Sequence, residues 1–464
     1  MTETFDAIII GSGQAGNPLL HDLAEAGWRV AMVERAHAGG TCLNEGCTPT
    51  KTLIASSQAA QEARRASELG INVSSISIDF EKIIARKDEI VKSWSEGSKK
   101  QIMQTKNATL VWGEASFVDG NTIEVASGSG MRTLHAKYIF INTGGRPAPA
   151  KFEGANEIGI LDSTSVMNLK SLPEHLAIIG GSYVALEFGQ FFRRLGAEVT
   201  ILEKAPEFLG HEDRDMAEAI QKALTEEGIE IHLGTQVKSA RRNDNQIHIV
   251  TEPSPAPSLK RRGEVISATH VLHAAGRVPN TDMLHLERAG IATNERGYII
   301  VNDRLETNVP NIYALGDVNG GPAFTHISYD DYRIVRDNLL HGASRTTKSR
   351  PVPYTMFIDP QFSRVGMSET DAMKQNIEHR IAKIPMSHIA RAAETGNTTG
   401  LLKAILAPDG TILGAAIFGA EGGEILSMIE IAMRGGLKAH DLVEMIFVHP
   451  NYSEGLNTLF AKSN

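Results

Sequence analysis

Residues 6–16 read Asp6-Ala7-Ile8-Ile9-Ile10-Gly11-Ser12-Gly13-Gln14-Ala15-Gly16. The short apolar run, without alternation, predicts a buried parallel strand. The glycine turn after it opens a helix-like stretch that reaches Gly27, with Pro18 in the first turn, where proline is tolerated. A second apolar run, Arg29-Val30-Ala31-Met32-Val33, ends on Glu34. Strand, glycine turn, helix, strand and acid make up a dinucleotide-binding unit. The glycines let a pyrophosphate approach the helix N-terminus, and the acid reaches ribose hydroxyls.

The pattern returns at Ala177-Ile178-Ile179, then Gly180-Gly181-Ser182-Tyr183-Val184-Ala185, then a helix through Arg194. Its second strand, Glu198-Val199-Thr200-Ile201-Leu202, ends on Glu203. Ser182 and Ala185 stand where the second and third glycines would be, and both are small enough for close backbone approach. Two units predict two dinucleotides. Glu203 favours free ribose hydroxyls, hence NAD over NADP, with Lys204 beside it working the other way.

The rest of the chain bounds what such units can serve. At 464 residues, and roughly 150 per domain, about three domains are expected. There are 46 Lys+Arg against 55 Asp+Glu, a net charge of −9, which argues against a nucleic-acid partner. A hydrophobic share of 42% excludes a disordered chain. No apolar run approaches the ~20 residues of a membrane helix, so no membrane partner is expected. The opening Met1-Thr2-Glu3-Thr4-Phe5-Asp6 lacks a basic segment, so no signal peptide is expected and the cytoplasm is the anticipated compartment.

Two cysteines cannot build a disulfide framework, yet Cys42 and Cys47 lie five apart in a glycine-rich loop. In a reducing compartment such a pair reads as a redox couple. Elsewhere, Leu110–Val125 and Met131–Asn142 look like hairpin strands about Ser127-Gly128-Ser129-Gly130. Thr143-Gly144-Gly145-Arg146-Pro147 reads as a domain crossing. Ser254–Gly263, with Lys260-Arg261-Arg262, reads as a solvated hairpin tip. Ala314-Leu315-Gly316-Asp317 ends a strand on an exposed carboxylate. Asp409-Gly410 marks a hairpin turn between Leu401–Ala407 and Thr411–Phe418. Met428, Met433 and Met445 read as core filler.

The run Gly40-Thr41-Cys42-Leu43-Asn44-Glu45-Gly46-Cys47-Thr48-Pro49-Thr50-Lys51 resembles the redox loop of the class I pyridine-nucleotide–disulfide oxidoreductases. That family includes dihydrolipoyl dehydrogenase, glutathione reductase and mercuric reductase. The resemblance spans the chain through Thr143-Gly144, Ala275-Gly276-Arg277, Gly316-Asp317, and His449-Pro450 with Ser453-Glu454. It implies an α/β fold with two Rossmann-like dinucleotide-binding domains and a C-terminal α+β dimerisation domain. The FAD domain would be discontinuous, residues 1–146 and 276–346, around an NAD(P) domain at 147–275, with the interface domain at 350–464. Thr48-Pro49-Thr50-Lys51, Asp359-Pro360-Gln361 and Ile446-Phe447-Val448-His449 are most similar to the mercuric-reductase-like subgroup, which includes the reactive-chlorine-resistance reductases. A true mercuric reductase would be expected to carry a C-terminal cysteine pair and an N-terminal heavy-metal domain, neither of which is expected here, and a residue other than His449.

By this resemblance FAD contacts fall on Gly11, Gly13, Gly16, Glu34, Gly40, Thr41, Cys42 and Lys51. Gly113, Ala115, Thr143, Gly144, Arg277, Gly316 and Asp317 extend that set. The nicotinamide nucleotide, NADH in preference to NADPH, falls on Gly180, Ser182, Tyr183, Val184, Glu203, Val237 and Gly276. Tyr183 is either a gate over the flavin or a packed core tyrosine. No metal site is expected. Cys47 would be the charge-transfer thiolate, favoured by a helix N-terminus, and Cys42 the interchange thiol. Lys51, about one turn on, would pair with Glu187. His449 would be the general base, a role suited to histidine chemistry, and Glu454 would orient it. In the family that base comes from the partner subunit, so a homodimer is implied.

The function expected is an FAD-dependent NAD(P)H oxidoreductase passing electrons to a disulfide, metal ion, quinone or other small oxidant. Dihydrolipoyl dehydrogenase is the alternative; Thr48, where those enzymes usually carry an apolar residue, favours the first. A non-catalytic flavin-binding scaffold is the third reading. It has no need of Cys42, Cys47, Lys51, Glu187 and His449 together.

Overall fold

The computed structural model describes residues 1–254 and 263–462. The hairpin tip expected at Ser254–Gly263, with Lys260-Arg261-Arg262, lies outside the described residues except for its two ends. Among its helices are α1 (Gly16–Glu25), α2 (Gly40–Asn44), α3 (Cys47–Arg65), α4 (Phe80–Gln104), α5 (Tyr183–Leu195), α6 (Arg214–Glu226), α7 (Thr325–Leu340) and α8 (Glu369–Lys374). The chain divides into two compact units. Met1–Thr52, Ile84–Ala148 and Gly276–Arg350 form the first; Leu53–Ile83, Pro149–Ala275 and Pro351–Asn464 form the second.

The first unit is built on a sheet whose strands are β1 (Thr2–Ile10), β2 (Val30–Glu34), β3 (Ala108–Trp112), β4 (Glu114–Phe117), β5 (Thr122–Ser127) and β6 (Gly130–Ile141). Their order is β3-β2-β1-β6-β5-β4, and Ile312–Ala314 also pairs with β6. Parallel registers set Ile10 opposite Val33 and Ile141, and Ala314 opposite Ile141. Four strands therefore end at one level, the carboxyl edge at which open α/β sheets bind ligands. The stretch expected as one hairpin arm, Leu110–Val125, is instead three strands. Its start pairs parallel with β2, and only β5 pairs antiparallel with β6. Alternation alone could not reveal that the edge of β2 was open to a partner.

In the second unit a parallel sheet runs Glu230–Leu233, Glu198–Glu203, His175–Ile179, His270–His273. Ile179 lies opposite Leu202 and His273, so Gly180, Glu203 and Ala274 share one edge. A five-stranded antiparallel sheet follows from Tyr354–Met356 to Ile412–Gly419, and the turn at Asp409-Gly410 is where the sequence predicts it. Ile425 and Ile429 of helix Gly422–Gly435, with Leu456, Leu459 and Phe460 of helix Gly455–Ala461, complete its core. Met433 packs against that core, but Met428 and Met445 are exposed. The core-filler reading is corrected for those two. Met428 lies at the margin of the helix face that buries Ile425, Ile429 and Ala432, where the side chain still meets solvent.

Ion pairs hold the second unit together across sequence. Lys403, 1% exposed, reaches Glu369 at 2.6 Å, Asp213 at 3.0 Å and Asp215 at 3.1 Å. Asp213 precedes α6 but accepts the Glu369 and Thr370 N–H groups at the start of α8, each at 3.1 Å. On α5, Gln190 exchanges two 2.7 Å hydrogen bonds with the Asp359 backbone, and Arg194 bridges Glu227 and Asp359 at 2.6 Å each. Segments 149–275 and 351–464 thus fold as one unit.

Candidate active site

At the carboxyl edge of the first unit's sheet, Glu34 Oε2 accepts the Ser12 N–H at 3.0 Å and the Ser12 hydroxyl at 2.7 Å, while Oε1 accepts the Ala36 N–H at 2.9 Å. The acid therefore ties the glycine turn to the loop after β2. Asn142, which the sequence reading passed over, receives the Gly16 N–H at 2.9 Å and donates to Leu315 O at 2.9 Å. Asp331, 1% exposed, accepts the Gly316 N–H at 2.8 Å and pairs with Arg350 at 2.6 Å. Neither sits in a recognisable motif; only the fold brings them to the site. Asp317, expected to be exposed, is half-buried. Burial pushes its carboxyl above the ordinary range, while Arg277, 4.0 Å away, works in the opposite direction. Arg277 also donates to Gly145 O in the two-stranded crossing Gly145–Pro147 and Arg277–Pro279. Gly113 N–H donates to Glu34 O at 2.9 Å, while Ala115 and Val237 are buried in apolar cores.

The redox loop packs directly on this glycine turn. A Cβ on Gly40, which has φ +66°, would lie 2.6 Å from Gly13 Cα, so only glycine allows the approach. At Gly46 a Cβ would lie 3.1 Å from Cys42 Cα; its absence lets the chain fold back between α2 and α3. The turn is pinned by Glu45 N–H to Thr41 O at 2.8 Å and by Thr50 Oγ1 to Gly46 O at 2.7 Å. Cys47 is the first residue of α3, exposed, with its Sγ 3.3 Å from Thr325 Oγ1 at the start of α7. Cys42 is half-buried, and both sulfurs are free thiols. The hydrogen bond to Cys47 pushes the Cys42 thiol up, with burial adding to it and Thr325 opposing. Lys51 is half-buried on α3, four residues after Cys47.

The second unit repeats the acid's geometry. Glu203 Oε2 accepts the Gly181 N–H at 2.5 Å and Oε1 the Ala205 N–H at 2.6 Å. Ser182 precedes α5; Tyr183 and Val184 open it and are half-buried. Further along α5, buried Glu187 accepts the Phe357 N–H at 2.9 Å. Gly276 takes φ +108° at the start of the crossing. His449, 72% exposed, has its Nδ1 2.8 Å from Glu454 Oε2, and the peptide before Pro450 is cis. The carboxylate at Nδ1 orients the ring.

The family model described as pyridine nucleotide-disulphide oxidoreductase matches residues 5–331, and that of the family's dimerisation domain matches residues 352–460. The chain belongs to the pyridine nucleotide–disulfide oxidoreductases. Within that family it is 39% identical over 462 residues to the probable pyridine nucleotide-disulfide oxidoreductase RclA of Escherichia coli, covering 98% of this chain and 99% of that one. It is 34% identical to dihydrolipoyl dehydrogenase of Geobacillus stearothermophilus, over 97% and 94% of the two chains. Mercuric reductase of Staphylococcus aureus is 33% identical, over 97% and 81%. A solved structure of the HOCl-induced flavoprotein disulfide reductase RclA from Escherichia coli, as its Cu(II) complex, superposes with a TM-score of 0.90 at 38% identity over 99% of each chain.

As a pyridine nucleotide–disulfide oxidoreductase the chain has two Rossmann-like domains and a C-terminal domain, and it is an enzyme of sulfur redox chemistry. The family implies FAD and NAD(P), and the dimerisation domain implies a homodimer. The residues present fit a flavin nucleotide. Among the described residues, Thr143 Oγ1 and Asn17 Oδ1 are buried with no hydrogen-bond partner, beside the glycine turn and the strand ends. Buried polar atoms of that kind call for a partner. No group of three or more His, Cys, Asp or Glu among the described residues could hold a metal ion, and none of the described helices is long and apolar enough to cross a membrane.

Proposed function

We propose that this chain is an NADH-dependent, mercuric-reductase-like flavoprotein reductase. It passes electrons through a Cys42–Cys47 disulfide to a small oxidant: a disulfide, a metal ion or a quinone. The observation that carries the reading is the pairing of the two thiols across the α2–α3 turn, with Cys47 at a helix N-terminus. Bound FAD supplies two-electron transfer between a nicotinamide and a dithiol. The glycine turn at Gly11, Gly13 and Gly16, with Glu34, Gly40, Thr143, Gly144, Gly316 and Asp317, would hold it. Glu203 would receive the adenine ribose of NADH and repel a 2′-phosphate.

Cys42 is the thiol that meets the acceptor, and Cys47 the thiolate held toward the flavin. His449, oriented by Glu454, takes or returns the proton that accompanies thiol chemistry. Lys51 and Glu187 complete the charged set. The homodimer completes the site across its interface, and the exposed apolar Ile446 and Val448 beside His449 support that reading. A cytoplasmic home is part of the proposal, since a dithiol–disulfide couple of this kind works in a reducing compartment. The FAD-loaded protein with NADH, assayed against lipoamide, glutathione disulfide, Hg(II), Cu(II) and quinones, tests it. Turnover that survives Cys42→Ser undiminished with every acceptor would overturn the dithiol route. The His449–Glu454 pair also supports a second reading, dihydrolipoyl dehydrogenase, in which lipoamide is the favoured substrate.

A further inference from the structure

Thr325 belongs to no motif read from the sequence, yet its hydroxyl lies 3.3 Å from Cys47 Sγ. It is the first residue of α7, sixteen residues long, whose N-terminus has no side-chain cap. Cys47 is itself the first residue of α3. Two helix N-termini, each carrying partial positive charge, therefore meet at one sulfur. A threonine hydroxyl can donate one hydrogen bond, and a thiolate can only accept.

We infer that Thr325 is a thiolate-stabilising residue: its hydroxyl donates to the Cys47 thiolate of the reduced enzyme and so makes the Cys42–Cys47 disulfide easier to reduce. This rests on the redox role proposed above. Reduction of the disulfide by one NADH takes up two electrons and one proton, giving a thiol at Cys42, a thiolate at Cys47 and NAD⁺. Only the product carries the charge, so a donor at Cys47 favours the product alone. Whatever stabilises the reduced form raises the reduction potential of a dithiol couple.

The test equilibrates the FAD-loaded protein anaerobically in buffers of reduced and oxidised dithiothreitol. Free thiols are trapped with maleimide and counted by mass. Thr325→Val should need about a tenfold higher ratio of reduced to oxidised dithiothreitol for half-reduction, the loss expected for a hydrogen bond to a charged group. Thr325→Ser should restore the wild-type ratio, which a merely structural role for the side chain would not require. Thr325→Ala gives the same reading should valine disturb the start of α7. The inference fails if Thr325→Val and Thr325→Ala titrate as wild type, or if they are easier to reduce, which would make the hydroxyl an acceptor for the Cys47 thiol. A wild-type protein whose cysteines never pair would instead overturn the redox role itself, and this inference with it.

Discussion

Glu34 and Glu203 each bridge the second residue of a glycine turn to the loop beyond the neighbouring strand, through hydrogen bonds of 2.5–3.0 Å. At Glu203 both oxygens are fixed by backbone N–H groups, so the carboxylate cannot swing away from a 2′-phosphate. NADH should exceed NADPH in kcat/KM by about 10- to 100-fold, the ~1–3 kcal/mol of an unsatisfied or repelled polar group. Steady-state kinetics with both nucleotides decides it, and a tenfold preference for NADPH would give the role to Lys204. The two-electron-reduced protein should show a long-wavelength absorption band that Cys47→Ser abolishes while FAD stays bound; a surviving band would reverse the assignment of the two cysteines. At His449 the prediction separates the acceptors. If the substrate is a disulfide or dithiol, His449→Gln should lower turnover by ~10²–10⁴-fold while the reductive half-reaction with NADH stays near normal. With a metal ion or quinone the same variant should keep most of its activity. Stopped-flow traces of the two half-reactions tell them apart, and equal damage to both would exclude the base role.

At the scale of the element, α8 shows how a short helix is held from two sides. Ser368 accepts the Asp371 N–H while Asp371 reaches back to the Ser368 N–H, a capping box, and Asp213 accepts the next two N–H groups. Four orphan donors would otherwise stand at that end. Ser368→Ala should cost about 1 kcal/mol, seen as a lower urea midpoint with NADH oxidation unchanged. No shift in the midpoint would mean that Asp213 alone suffices. The α2–α3 turn is the opposite case. It is fixed by the absence of side chains at Gly40 and Gly46, so any residue added there displaces the redox loop rather than merely weakening it.

Across the second unit, Lys403 is the buried cation on which three carboxylates converge. Removing one partner of such a cluster leaves uncompensated charge, so Lys403→Met should destabilise the protein by ~3–5 kcal/mol, measured by denaturant unfolding. Burial works against the charged forms of Asp213 and Asp215. Hydrogen bonds from the Thr370 N–H and Lys403, for Asp213, and from Lys383 and Lys403, for Asp215, overcome it and hold both acids below the ordinary range. Burial likewise opposes the charge on Lys403, and Glu369, Asp213 and Asp215 hold it above the ordinary lysine value. Depressed acids stabilise fully above their unfolded pKa of ~3.9 and lose that contribution as pH falls through the lower folded values. The raised lysine stabilises fully below ~10.4 and loses its contribution as pH rises through its higher folded value. The cluster should therefore hold from about pH 4 to pH 10 and release in acid. Asp213→Asn should flatten the fall in stability below about pH 4; an unchanged profile would show that acid unfolding starts elsewhere.

The sequence by itself determined the two strand–glycine–helix units, the family, and the cysteine pair, because each is local: a few residues in fixed order force the same backbone wherever they occur. The Glu454 contact to His449 was legible for the same reason, the two residues being five apart. What lies far apart in sequence was decided by the tertiary structure. Asn142 meets Gly16 across 126 residues, and Thr325 meets Cys47 across 278. Neither residue has a chemistry distinctive enough to announce itself, and their roles come from strands ending at one level and from α7 starting beside α3. The exposure of Met428 and Met445, the burial of Asp317, and the joining of segments 149–275 and 351–464 through Lys403 are of the same kind. Each depends on which face an element turns to its neighbours, and a residue's identity does not contain that information.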